Sequence, residues 1–169
     1  MIWRSHRIVT GLTIFACTQS LIAAIAATTG STFPDQVDMK LPLKHRGFSH
    51  WFPVYLVPAL LLLPLFPAEY HLIYSCQESA LLLLFAEPAY ALAVFLRNLL
   101  FWFLIGALLH IMEDTFTGYI PVTSPKDRRS WYRPFYTGSP KENLYVLSYA
   151  ILLIAVILTT WGLSGHITM

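Results

Sequence analysis

The sequence predicts an all-α membrane protein, folded as a polytopic bundle of about four to five membrane-inserted segments. Of its 169 residues, 56% are hydrophobic and 12% are charged, about half the charged share of an average soluble domain. Four apolar stretches approach the ~20 residues that a helix needs to cross a hydrocarbon core. They are Ile8 to Ala27, Trp51 to Phe66, Ala89 to Met112 and Leu144 to Trp161. Because these stretches are distributed over residues 8–161 and leave no long polar segment for a second domain, we expect one integral membrane domain over residues 1–169.

The basic residues indicate the orientation of this bundle. Ten of the eleven Lys and Arg residues fall in three stretches, residues 4–7, 40–46 and 126–141. If these stretches share one side, the positive-inside rule makes that side cytoplasmic. The net charge of +2 is too small to favour a nucleic-acid partner. We therefore expect membrane lipid as the partner, with a homo-oligomer left open.

Two segments allow more than one path through the membrane. A single helix over residues 8–27 would separate the first basic stretch from the second. Two half-helices meeting at Thr18-Gln19-Ser20 would instead form a re-entrant hairpin with both ends on one face, and the sequence favours neither alternative. The segment Ala68 to Glu87 contains acidic residues. A full crossing there would separate the polar motifs below, so we predict an interfacial or partly inserted helix.

Three polar clusters lie at the ends of apolar segments. They are Asp35 and Asp38, the string His45-Arg46-Gly47-Phe48-Ser49-His50, and His110 with Glu113 and Asp114. In the string, Gly47 is expected to allow a tight turn and Ser49 to cap the next helix. His110 and Asp114 are four residues apart and share a helical face. A later Ser139-Pro140-Lys141-Glu142 is typical of a capping box that begins the last helix.

Imidazole and carboxylate groups are the ligands that suit zinc, manganese or iron. A divalent cation held by three or four of them keeps positions open for water, which ionises near neutral pH to give a hydroxide nucleophile. Six candidates suffice for one or two ions: Asp35, Asp38, His45, His50, His110 and Asp114. Glu113 faces about 100° away on the helix, so we predict a supporting group or general base. Arg46, Arg128 and Arg129 are predicted to hold an anionic substrate group.

Other functional classes fit the sequence less well. A serine hydrolase is disfavoured because no GxSxG motif occurs, and neither cysteine has a nearby base. The Ser-Arg pair that lipid phosphatases place before their His is missing from residues 102–109. A transporter is disfavoured because the ligands lie at one face, away from the midplane. The rival that stays open is a non-enzymatic assembly or scaffold subunit, in which a metal clamps loops to helix ends.

The motifs and their order carry a family resemblance. Gly30-Ser31-x-x-Pro34-Asp35-x-x-Asp38 is followed by His45-Arg46-Gly47-Phe48-Ser49-His50, by His110-x-x-x-Asp114-x-x-Thr117 and by Thr137-Gly138-Ser139 with Glu142. This order resembles the YdjM-like membrane-bound metal-dependent hydrolases, whose strings read approximately L-P-D-I-D, H-R-G-F-T-H-S and H-x-x-x-D-x-x-T-x-x-G. Two departures are an extra residue between the acids and Trp51 in place of a Ser.

The resemblance implies a polytopic inner-membrane hydrolase of bacteria or archaea, with the six candidates as metal ligands and His6 as an additional one. The His-x3-Asp pair is also similar to that of zinc-dependent phospholipases C, which implies a phosphodiester substrate. The leading functional hypothesis is therefore a metal-dependent hydrolase that cleaves a phospholipid or another membrane-associated ester or phosphodiester. Zinc is the metal we expect, with manganese and iron as alternatives.

Overall fold

The computed structural model describes residues 1–41, 46–63, 88–127 and 134–167. The regular elements in these ranges are α1 (Trp3–Thr18), α2 (Leu21–Gly30), α3 (Phe33–Lys40), a 3-10 turn (Phe48–His50), α4 (Pro53–Leu62), α5 (Pro88–Asp114) and α6 (Pro140–Ile167). Since all of them are helical, the predicted all-α class is confirmed for the described residues. The segment 68–87, predicted as an interfacial helix, lies outside them.

The first apolar segment is a helical hairpin. Gln19 ends α1 in the left-handed region, with φ of 55°, and the Ser20 hydroxyl caps α2 by accepting from Ala23 N at 3.2 Å. The chain then turns back, so that Gly11 of α1 faces Thr28 of α2. At 1.5 Å per residue the two helices are about 24 and 15 Å long, each shorter than a ~30 Å hydrocarbon core. The hairpin alternative therefore agrees with the structure, and a single span over residues 8–27 is wrong.

Two of the described helices are long and apolar enough to cross a membrane. They are α5 and the part of α6 over Pro140–Trp161, with mean hydropathies of 2.1 and 2.2. Large apolar side chains project outward from both, including Leu96 and Ile151, which are 54% and 60% exposed. The helix α4 is apolar but only ten residues long. A bundle of four to five inserted segments stays a prediction.

The hairpin packs between α5 and α6. Gly106 of α5 lies so close to Ala27 of α2 that a Cβ built there would overlap the Ala27 carbonyl oxygen. The missing side chain of Gly106 therefore allows the backbones of α2 and α5 to come into contact. On the other side, Thr13 Oγ1 of α1 lies 3.1 Å from the Tyr149 hydroxyl of α6. The hairpin thus sets the position of α5 relative to α6.

The start of α6 follows the predicted capping box in part. Ser139 Oγ accepts from Glu142 N at 3.3 Å, as a helix cap does. The Glu142 carboxylate, however, accepts from Gly138 N at 2.6 Å and from Ile2 N at 2.9 Å, not from Ser139 N. The fully buried Glu142 therefore joins the beginning of α6 to the beginning of α1.

One local prediction around the second polar string is wrong. Ser49 does not cap a helix, because α4 begins only at Pro53 and the Ser49 hydroxyl donates to Asp38. The turn predicted at Gly47 is present, since His50 N donates to the Gly47 carbonyl oxygen at 3.2 Å, and the left-handed conformation beside it belongs to Arg46, with φ of 56°. The Arg46 conformation is held by its backbone N–H, which donates to Asp38 Oδ2 at 2.9 Å.

Candidate metal centre

Four side chains from three chain segments converge at the C-terminal end of α5. Asp35, His50, His110 and Asp114 each offer one ligand atom, and these atoms all lie within 4.8 Å of one another. The helix α3 supplies Asp35, the 3-10 turn supplies His50, and α5 supplies the other two. The three polar motifs therefore share one site, as the topology argument requires.

The spacing of these ligand atoms fits a small divalent cation. His50 Nε2 lies 3.2 Å from His110 Nε2 and 3.3 Å from Asp35 Oδ1. His110 Nε2 lies 3.6 Å from Asp35 Oδ1 and 3.8 Å from Asp114 Oδ2. His50 Nε2 lies 3.6 Å from Asp114 Oδ2. Ligands bound tetrahedrally at 2.0–2.1 Å are about 3.3–3.4 Å apart. The cluster is thus close to the size that zinc requires.

Several polar atoms of the cluster lack a hydrogen bond. Within the described residues, His6 Nε2 and Asp35 Oδ1 are buried side-chain atoms with no hydrogen-bond partner. Buried polar atoms are normally paired, and an exception needs an explanation. Asp35 Oδ1 points at two imidazole nitrogens that face each other, and a shared cation would satisfy all three atoms.

The carboxylate of Asp35 is held in its charged form. Burial favours the neutral acid and would raise the pKa, but the imidazoles of His110 and His50, whose Nε2 atoms lie 3.6 and 3.3 Å from Asp35 Oδ1, outweigh burial and hold the pKa of Asp35 well below its usual range. Asp35 is therefore ionised at neutral pH, as a metal ligand must be.

Asp38 lies behind His50 instead of beside the other ligands. Its Oδ2 is 3.3 Å from His50 Nδ1, while its Oδ1 accepts from the Ser49 hydroxyl. Ser49 Oγ also lies 3.0 Å from His50 Nδ1. A carboxylate on one ring nitrogen of a metal-binding histidine orients the ring and makes the other nitrogen a better ligand. The structure thus places Asp38, predicted as a ligand, in a supporting position.

We expect Asp38→Asn to lower zinc affinity by about 10–100-fold, as loss of such a supporting carboxylate typically does. The amide keeps the size of the side chain but removes the charge that stabilises the His50 ring. Competitive titration of the purified protein with a fluorescent zinc chelator would measure the change. Asp127→Asn, in the loop after α5, is the charge-matched control and should leave the affinity unchanged. Equal affinities for Asp38→Asn and the unmodified protein would contradict this role.

Glu113 and His6 form a second carboxylate–imidazole pair on the other side of the cluster. His6 Nδ1 lies 2.5 Å from Glu113 Oε2, and the Thr10 hydroxyl donates to Glu113 Oε1 at 3.0 Å. His6 Nε2 lies 3.3 Å from Asp114 Oδ1, and its ring packs 4.0 Å from the ring of His110. Among the described residues, His6 thus connects Glu113 to the cluster, while the role predicted for Glu113 stays a prediction.

Arg46 is paired with a ligand carboxylate. Its Nε lies 2.9 Å from Asp114 Oδ2, and its Nη2 donates to Thr117 Oγ1 at 3.3 Å. The amino group of Met1 lies 2.7 Å from the other Asp114 oxygen, Oδ1. A Cβ on Gly118 would overlap the Arg46 guanidinium. Two cationic groups thus fix the orientation of Asp114, and Gly118 leaves room for one of them.

Some of the predicted residues cannot be placed, and some important ones were not predicted. His45, Arg128 and Arg129 lie outside the described residues. Thr10 and Ser49 were missed as supports of the cluster. Thr10 lies one helical turn after His6, so the i, i+4 spacing is the signal that could have found it. No comparable signal marks Ser49, whose partner Asp38 is distant in sequence.

Together, the fold and the cluster define a protein that is helical over its described residues, with a candidate metal site at one end of a helix that is long and apolar enough to cross a membrane. The chain belongs to the YdjM inner membrane protein family, whose family model matches residues 1–166. The predicted family and the inner-membrane location of its members are thereby confirmed. Comparisons with curated proteins and with solved structures give no significant match. The similarity to zinc-dependent phospholipases C is not shown and stays a prediction.

Proposed function

We propose that this chain is a membrane-embedded metal-dependent hydrolase that cleaves a phospholipid or another membrane-associated ester or phosphodiester. The observation that supports it most is the convergence of four ligand atoms at the end of α5, a helix long enough to cross a membrane. Ionisable side chains at such positions are costly and typically functional. A site at this level would lie beside the headgroups of the lipids that surround it.

Asp35, His50, His110 and Asp114 would hold the ion. Two imidazoles and two carboxylates at near-tetrahedral spacing favour zinc, while manganese and iron accept the same ligand types. The two carboxylates balance the charge of a divalent cation in a buried site. The chemistry that such a cation supplies is Lewis acidity, which makes a water molecule nucleophilic near neutral pH and polarises the bond to be cleaved.

His6 is the residue best placed to hold a proton during this reaction. Its Nε2 is buried without a hydrogen bond and faces Asp114, while Glu113 holds Nδ1 on the far side of the ring. A carboxylate in that position stabilises the protonated imidazole and fixes its orientation. The predicted general-base role of Glu113 is thus assigned to the pair, with His6 Nε2 as the proton-accepting atom.

The basic residues around the cluster would bind the anionic part of the substrate. Arg46 contacts Asp114 through Nε, and 17% of its side chain stays exposed. Arg128 and Arg129 share the proposed role on the strength of the sequence alone. Arg4 and Lys141 lie in the first turns of α1 and α6, and Arg46 precedes the 3-10 turn that carries His50. Since these basic residues lie at the same end of the helices as the metal cluster, the positive-inside rule favours the cytoplasmic face for the site.

Phospholipid hydrolysis by the purified protein tests this function. We expect zinc-loaded protein in nanodiscs of phosphatidylethanolamine and phosphatidylglycerol to release headgroup or acyl products. His6→Gln should retain the metal but lose at least about 100-fold in rate, the usual contribution of a positioned proton acceptor. Lys40→Gln, at an exposed position, is the control and should keep full activity. A fully loaded protein that releases no product from either lipid would contradict the proposal.

One observation favours the scaffold alternative enough to test it separately. Four protein ligands fill a tetrahedral zinc ion, as in closed structural sites, whereas catalytic zinc sites usually keep one position for water. Cobalt substitution distinguishes the two functions. An open site should change its visible spectrum when phosphate is added. A closed clamp should keep a tetrahedral spectrum that phosphate does not alter.

A further inference from the structure

The outer side of α1 carries two grooves that the candidate metal centre does not use. One runs between α1 and α2, has a volume of about 550 Å³ and is lined mainly by apolar side chains such as Leu12 and Phe15. The other runs between α1 and α6, has a volume of about 340 Å³ and is lined by residues that include Val146 and Leu147. Ile8 lines both grooves. The two grooves therefore lie side by side, separated by one ridge.

A basic residue lies in the lining of each groove. Arg7 belongs to the groove beside α2, and Arg4 belongs to the groove beside α6. The two are three residues apart and so project from neighbouring positions on one helical face. Arg4 Nη2 donates to Asn143 Oδ1 at 3.3 Å, which holds it beside α6. Both arginines lie in the first two turns of α1. This end of α1 also carries His6, which lies beside the candidate metal centre.

We propose that these grooves bind one anionic phospholipid of the inner membrane, with an acyl chain on each side of Ile8 and the phosphate on Arg4 and Arg7. The chain belongs to a family of inner membrane proteins, so such lipids surround it. The positive charges of Arg4 and Arg7 complement the negative charge of a phosphate. From Arg7 to Phe15 the groove beside α2 extends about 12 Å along the helix. One leaflet of the hydrocarbon core is about 15 Å deep, so the groove matches the depth of an inserted chain.

This binding requires no catalysis and does not depend on the proposed hydrolase function. The grooves flank α1 on the side away from His6, which is fully buried against the metal cluster. A lipid held there would support the hairpin against α6, where it is otherwise exposed to the bilayer. The lipid would act as a bound structural partner.

Native mass spectrometry of the full chain in detergent tests the site with defined lipids. We expect phosphatidylglycerol to bind one per protein and more tightly than phosphatidylcholine of the same chain length. A membrane-proximal arginine contributes about fivefold in affinity for an anionic lipid. Arg4→Gln and Arg7→Gln should therefore each weaken phosphatidylglycerol binding about fivefold and weaken phosphatidylcholine binding less, because the choline cation offsets the charge of the phosphate. Lys40→Gln is the charge-matched control outside the grooves and should bind as the unmodified chain does.

A second variant tests the groove separately from the charge. Ile25 lines the groove beside α2 and is 58% exposed, so Ile25→Trp should fill the groove without disturbing the packed interior. We expect it to weaken binding of both lipids. Equal binding of the two lipids to the unmodified chain, or undiminished phosphatidylglycerol binding by the Arg4→Gln, Arg7→Gln double variant, would overturn the proposal. A stable dimer that excludes lipid would also overturn it, because a second copy would then occupy the grooves.

Discussion

The variant His110→Ala is expected to lose more than about 100-fold in zinc affinity, because loss of a direct ligand exceeds the 10–100-fold cost of losing a supporting group. His110 Nε2 lies 3.2 Å from His50 Nε2 and 3.6 Å from Asp35 Oδ1, so it is central to the cluster. Its removal leaves two carboxylates and one imidazole around an enlarged space. Water can replace the lost ligand only in part.

This loss can be measured as the zinc content of the protein after dialysis against a weak chelator, determined by inductively coupled plasma mass spectrometry. Met112→Ala is the matched control on the same turn of α5, since Met112 is 62% exposed and lies outside the cluster. Circular dichroism of both variants would establish that helical content is retained. Stoichiometric zinc in a folded His110→Ala protein would contradict the assignment of this cluster as a metal site.

The meeting of the three motifs could be predicted because membrane physics constrains ionisable residues strongly. Imidazoles and carboxylates at the ends of apolar helices need partners, and the available partners are one another. From that requirement the sequence predicts that the motifs containing Asp35, His50, His110 and Asp114 meet at one membrane face. Their chemistry then indicated a metal, and the structure brings their ligand atoms within 4.8 Å of one another.

The roles of individual acids could not be predicted from spacing. Asp35 and Asp38 are three residues apart, so both occupy neighbouring positions on α3 and are equally plausible ligands. What separates them is tertiary contact, because Ser49 Oγ and the Arg46 backbone N–H both donate to Asp38. These donors come from the next segment of the chain. No pattern within α3 reports them.

The hairpin was one of two alternatives because the polar triplet at its tip is a weak signal. Thr, Gln and Ser are tolerated inside helices when their hydroxyls bond to the preceding turn, and Thr18 Oγ1 does donate to Ile14 O at 2.7 Å. The turn instead depends on the left-handed conformation of Gln19, whose carboxamide accepts from Trp161 Nε1 of α6. A contact 142 residues away in sequence thus accompanies a turn that local propensity does not specify.

Gly106→Ala is expected to lower the free energy of unfolding by about 2 kcal/mol or more, near the upper part of the range for overpacked cores. A carbon and a carbonyl oxygen normally stay at least about 3.3 Å apart, whereas a Cβ on Gly106 would overlap the Ala27 oxygen and lie 2.7 Å from the Ala27 Cα. A side chain could rotate away from such a clash, but a helix backbone cannot. The two helices must therefore separate.

This separation should also weaken the metal site, because both helices lead into it. Gly106 lies one turn before His110, and α2 continues into α3, which carries Asp35. Moving α2 away from α5 therefore pulls Asp35 from His110. Thermal unfolding in detergent and zinc titration should both record the change. Ala93→Val adds bulk at an exposed position of the same helix and should alter neither; a Gly106→Ala protein with unchanged stability would show that the close crossing of α2 and α5 is not required.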